Sequence, residues 1–115
     1  MIFHICSAAE WTGEEYRAPS LDTDGFIHCS DLGTVHLPAN AFYAGRIDLV
    51  LLQIDPGKLD VPLRWEPGQP PHPAGIWFPH VYGPIKAGAV VAVHDFLPGP
   101  GGTFLPPAAV SAPIP

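Results

Sequence analysis

Asp48-Leu49-Val50-Leu51-Leu52-Gln53-Ile54 is apolar on both of the faces that strand alternation gives it. Turn formers bound it, with Gly45 before it and Asp55-Pro56-Gly57-Lys58 after it. A strand with two apolar faces must be covered on both sides, so this stretch predicts the central strand of a sheet. Outward from it, shorter runs read as strands from Ile2 to Cys6, Gly25 to Ser30, Val61 to Trp65, Ile76 to Tyr82 and Ala89 to Phe96.

Helical signals are few. Ser7-Ala8-Ala9-Glu10 is a capping box with Cys6 and Trp11 placed as its staple, which predicts a short helix ended by Gly13. Glu14 to Asp24, with Pro19, reads as an extended piece and a loop. Between Leu32 and Tyr43, Val35, Phe42 and Tyr43 line one helical face, Ser30 or Asp31 supplies a cap, and Pro38 breaks or kinks the helix one turn in. Pro67 to Gly75 is rich in proline and glycine and reads as a loop. The expected architecture is an α+β domain over residues 1–96. Its sheet is bent or split and mainly antiparallel, with two short flanking helices. Residues 97–115, mostly Pro, Gly and Ala, read as a tail without regular structure.

Composition narrows the function classes. At 115 residues the chain is one domain, able to bury roughly two-thirds of its unfolded surface. Cys6 and Cys29 lie in apolar runs without metal or redox spacing, which fits packed, reduced thiols. Five Lys and Arg against eleven Asp and Glu give a net charge of −6, with no basic stripe, so non-specific nucleic-acid binding is not expected. No apolar run is long enough to span a bilayer, and Met1-Ile2-Phe3-His4 lacks the features of a signal peptide, so the expected location is the cytoplasm.

Against this background, polar residues inside apolar strands stand out. Alternation pairs His4 with Cys6, His28 with Ser30, and His80 with Tyr82 on single strand faces. A buried imidazole carries a donor and an acceptor that both need partners. Three such rings on three strands therefore predict a shared cleft lined by His4, His28, Ser30, His80 and Tyr82. The plain alternative is that each is a satisfied structural residue, and for Ser30 a helix cap. Zinc would accept His4, His28 and His80, but neither H-E-x-x-H nor paired-cysteine spacing supports it, and no metal site is expected. Cys29 faces away from His28 and reads as packing rather than as a nucleophile.

Asp24-Gly25-Phe26-Ile27-His28-Cys29-Ser30, Asp48 to Leu52 and Phe78-Pro79-His80-Val81-Tyr82-Gly83-Pro84 together resemble, in order and spacing, the domain-of-unknown-function 952 family of small bacterial proteins. That family is similar to a distant branch of the ADP-ribosyltransferase fold, related to the NAD-dependent RNA 2′-phosphotransferases through the Ile27-His28 strand. The resemblance implies such a fold and a nucleotide pocket, with NAD as substrate. His4 would then anchor the nicotinamide ribose, and His28 or His80 would act on a proton or phosphate. Tyr82, Tyr43 or Trp65 would form the aromatic wall, and Glu66, following Arg64, would be the acidic residue. The basic residues that the RNA-modifying branch uses on phosphates have no counterpart here. The implied activity is transfer or hydrolysis of ADP-ribose; the alternative is a non-enzymatic module that binds a metabolite or peptide in the same cleft.

Overall fold

Leu49–Ile54 forms a strand at the centre of a three-stranded antiparallel sheet, as its two apolar faces require. The computed structural model describes residues 1–107. In chain order its strands are β1 (Ile2–Ser7), β2 (Ile27–His28), β3 (Leu49–Ile54), β4 (Leu63–Pro67), β5 (Trp77–Val81) and β6 (Val90–Asp95), and its α-helices are α1 (Ser20–Thr23) and α2 (His36–Phe42). The first sheet has the order β1-β3-β6 and the second β2-β5-β4, antiparallel throughout. The fold is α+β with a split antiparallel sheet and little helix.

The two sheets are joined where the chain crosses between them. The Cys29 amide still donates to Pro79 O in β5, at 3.0 Å. One residue later Ser30 exchanges two backbone hydrogen bonds, each 2.8 Å, with Phe3 in β1. That switch explains why β2 is only two residues long, although the apolar pattern runs from Gly25 to Ser30.

Both faces of β3 are buried, but against different cover. Val50, Leu52 and Ile54 pack with Ile2 and Cys6 of β1 against Ile27, Cys29, Val81 and Ile85 from the side of the second sheet. Leu49 and Leu51 pack with Phe3 and Ile5 against Val35 and Ala39 near α2, and against Phe96 and Phe104. Burial of Phe104 (1% exposed) shows that the chain beyond Leu97 contributes to the core. Asn40 fixes it there, its amide nitrogen donating to Phe104 O and its oxygen accepting from Phe104 N, at 2.9 and 2.7 Å. A 3-10 turn at Pro100–Gly102 precedes it. The expectation of an unstructured tail therefore fails for this segment, because one aromatic ring outweighs the Pro and Gly around it; residues 108–115 of the expected tail lie outside the described residues.

Local differences from the sequence reading have local causes. The capping box at Ser7 closes a 3-10 turn over Ala8–Glu10, with the Ser7 amide donating to Glu10 Oε1 at 2.8 Å. α1 forms within the stretch read as loop. α2 starts at His36, so Pro38 falls in the first turn, where a missing amide hydrogen costs no helical bond. Neither Ser30 nor Asp31 caps α2, whose N-cap is Val35; Asp31 Oδ1 instead accepts from the amide and hydroxyl of Thr34 in the turn that leads into it. No helix among the described residues is long and apolar enough to cross a membrane.

Candidate functional site

The register of β2 on β5 sets His28 directly opposite His80. Their rings meet edge to face with centroids 5.5 Å apart. Phe26, two residues before His28 and on the same face, stacks on His80 at 4.0 Å and contacts His28 at 4.7 Å. Each imidazole is held by its own carboxylate. His28 Nε2 donates to Asp24 Oδ2 at 2.8 Å, and His80 Nδ1 donates to Glu66 Oε1 at 2.9 Å.

The His80 arrangement is the more buried of the two. Glu66 Oε1 also accepts from the Tyr82 hydroxyl, and these hydrogen bonds, that from Tyr82 above all, hold the carboxyl below the usual carboxylate range. An ionised carboxylate can only accept, so the His80 proton resides on Nδ1. Burial, with 1% of the residue exposed, pushes the His80 pKa down and favours the neutral ring. Nε2 is consequently a lone-pair acceptor, buried and without a hydrogen-bond partner among the described residues. His28 is 40% exposed at its side chain.

His4 is different in kind. Its Nδ1 donates to the His28 carbonyl at 2.6 Å, and its Nε2 accepts from the Tyr16 hydroxyl at 2.8 Å. Burial lowers its pKa to about 4, so the ring is neutral and both nitrogens are used inside the protein. The ribose-anchoring role implied by the family resemblance is corrected accordingly, since no ring nitrogen of His4 is left for a hydroxyl. His4 instead ties β1 to the backbone of β2 and so positions His28.

A groove of about 770 Å³ brings together His4, His28, Ser30, His80 and Tyr43. Phe78, two residues before His80, is among the lining residues, as is the proline loop from Pro70 to Pro73. Arg64, Glu66 and Tyr82 do not line it. They stand behind His80, with the Arg64 guanidinium 5.1 Å from the centre of the Tyr82 ring. Tyr82 is thus a support for Glu66 and not a wall of the groove. Trp65 alternates with Arg64 and Glu66, is 46% exposed and is not in the lining, which removes it as an aromatic wall. Tyr43 and Phe78 are among the aromatic residues that line the groove, with Phe42 beside Tyr43.

Sequence reasoning passed over Asp24, Phe26 and Phe78 as members of the cluster. All three were readable in principle: Phe26 and Phe78 sit two positions before a strand histidine, and Asp24 opens the motif that ends at Ser30. Tyr16 carried no such signal, because it enters through an isolated bridge with Ile85. Both thiols lie in the core, where burial pushes Cys6 up to about 12 and raises Cys29 as well. Among the described residues no three His, Cys, Asp or Glu side chains gather as a metal site.

The family model described as protein of unknown function, DUF952, matches residues 5–93, which contain both histidine–carboxylate pairs. The chain belongs to the DUF952 family. The crystal structure of protein CC0527 from Caulobacter crescentus superposes with a TM-score of 0.76 at 28% identity, over 90% of this chain and 92% of that one. The solution structure of the same protein gives a TM-score of 0.69 at 30% identity, over 89% of each chain. No curated protein matches the chain. The fold of CC0527 is therefore shared over nearly the whole described chain.

Proposed function

We propose that the groove binds a nucleotide, with NAD as the first ligand, and that His80 moves a proton when the ADP-ribose unit is hydrolysed or transferred. The observation that carries this reading is the unbonded Nε2 of His80, on a ring whose other nitrogen is locked by Glu66. A neutral imidazole oriented by a carboxylate is the arrangement a general base requires. In hydrolysis, water oxygen bonds to the ribose C1′ as the bond from C1′ to the nicotinamide nitrogen breaks. Nε2 takes the proton of the water, and nicotinamide leaves as the neutral base. Tyr43 and Phe78 supply flat apolar walls, and the split antiparallel sheet is in keeping with an ADP-ribosyltransferase-like ancestry.

One observation favours a second reading, a non-enzymatic metabolite-binding module. Arg46 is the only Lys or Arg lining the groove, and its Nε and Nη2 donate to the two carboxylate oxygens of Asp48 at 3.0 and 2.7 Å. No free cation waits for a pyrophosphate.

Thermal unfolding with NAD and ADP-ribose, followed by chromatography of the NAD that remains, separates the readings. Saturable stabilisation with nicotinamide release, both lost in His80→Ala, is the expected result. Stabilisation without turnover supports a binding module for such nucleotides, and no stabilisation by either compound contradicts the NAD reading.

A further inference from the structure

We infer that the groove holds its ligand through a group that donates a hydrogen bond to His80 Nε2, so that the nucleoside part of a nucleotide carries recognition and a neutral nucleoside is bound at least as well as its phosphorylated counterpart. The inference deepens the proposed ligand site and rests on it. The direction of the His80 hydrogen bonds is fixed from behind. Glu66 Oε1 receives both the Tyr82 hydroxyl and the Nδ1 proton, so the only valence His80 has left is an acceptor. That acceptor is buried and unpaired among the described residues, and leaving a polar atom of this kind unsatisfied is costly. A ribose hydroxyl or an amino group satisfies it; a phosphate or carboxylate oxygen, itself an acceptor, does not.

The rest of the lining points the same way. Apart from its histidines, the charged side chains lining it among the described residues are Glu10 and Arg46, and Asp48 already engages Arg46 through two hydrogen bonds. An anion entering the groove therefore meets a carboxylate and a lone pair with no free Lys or Arg to offset them. A site built to hydrogen-bond a neutral donor discriminates strongly against ligands that cannot donate, because its own buried atom is then left unpaired. The negative net charge of the chain adds to the discrimination at low salt.

The test is isothermal titration of the full chain with adenosine, adenosine 5′-monophosphate and inorganic phosphate at two salt concentrations. Nitrogen NMR of the His80 ring accompanies it. Adenosine is expected to bind at least as tightly as the monophosphate, with little change on adding salt, and phosphate alone to give no response. The Nε2 resonance should move on adenosine addition while Nδ1 keeps its proton. His80→Ala should weaken adenosine at least tenfold, and because that variant can misfold, the ring resonance in the unsubstituted chain is the independent readout. Tenfold tighter binding of the monophosphate, displacement by phosphate, a protonated Nε2 at neutral pH, or no binding of either compound would each overturn the inference. Binding of adenosine together with failure of NAD would overturn the nucleotide reading alone.

Discussion

Glu66 of β4 reaches across to His80 of β5 and accepts the hydrogen bond of Nδ1–H at 2.9 Å, with the Tyr82 hydroxyl on the same carboxylate oxygen. Burial lowers the His80 pKa, and the hydrogen bond that His80 donates to Glu66 opposes that effect. Removing the carboxylate charge in Glu66→Gln is therefore expected to move the His80 titration midpoint further down, read by NMR against pH. A midpoint that rises or stays put would show that the pair does not control the ring. The same variant should weaken ligand binding, since the tautomer is no longer fixed.

His4 makes stability depend on pH. Its pKa falls from 6.5 to about 4 in the folded protein, so below pH 6.5 the unfolded chain takes up a proton that the folded chain resists. This contribution is fully present above the unfolded pKa and is lost as pH falls toward 4, by roughly 3 kcal/mol in total. Denaturant midpoints measured from pH 7 to 4 should show a steeper loss for the wild type than for His4→Gln. Parallel curves would contradict the assignment.

Truncating His4 tests its structural role directly. His4→Ala removes two hydrogen bonds and leaves space beside Tyr16, at an expected cost of about 2–4 kcal/mol in urea unfolding. A change below about 0.5 kcal/mol, the ordinary range for surface positions, would place His4 outside the core.

Phe104→Ala should cost about 3–5 kcal/mol, since the ring is buried against Phe96 with centroids 4.8 Å apart. Urea unfolding of the full chain gives the number. A surface-like effect would return residues beyond Leu97 to the status of a tail.

Cys6 and Cys29 should resist aromatic disulfide reagents in native buffer and react in denaturant. Both are buried, and desolvation suppresses the thiolate that reacts. Rapid labelling of either thiol in the native protein would contradict the packing.

Much of this was legible because strand alternation is local. The two apolar faces of β3 foretold its central place, and the period of two placed His28 with Ser30 and His80 with Tyr82. Alternation does not say which sheet a strand joins, and this decided the rest. His4 and His80 look alike in sequence, yet His4 meets a carbonyl and a tyrosine from across the fold, whereas His80 meets a carboxylate only at Nδ1. Phe104 was hidden by its prolines and glycines, because the local chain carries no sign of the Asn40 side chain that clasps it. Pro38 was misjudged through a helix start placed too early.

The most direct test of the groove is an NMR titration of the isotope-labelled chain with NAD. The account predicts saturable shifts at His28, Ser30, Phe78 and His80, with Val91 and Val93 on the exposed edge of β6 unmoved and the effect abolished by His80→Ala. Absence of shifts at saturating NAD, or shifts centred on β6, would contradict it.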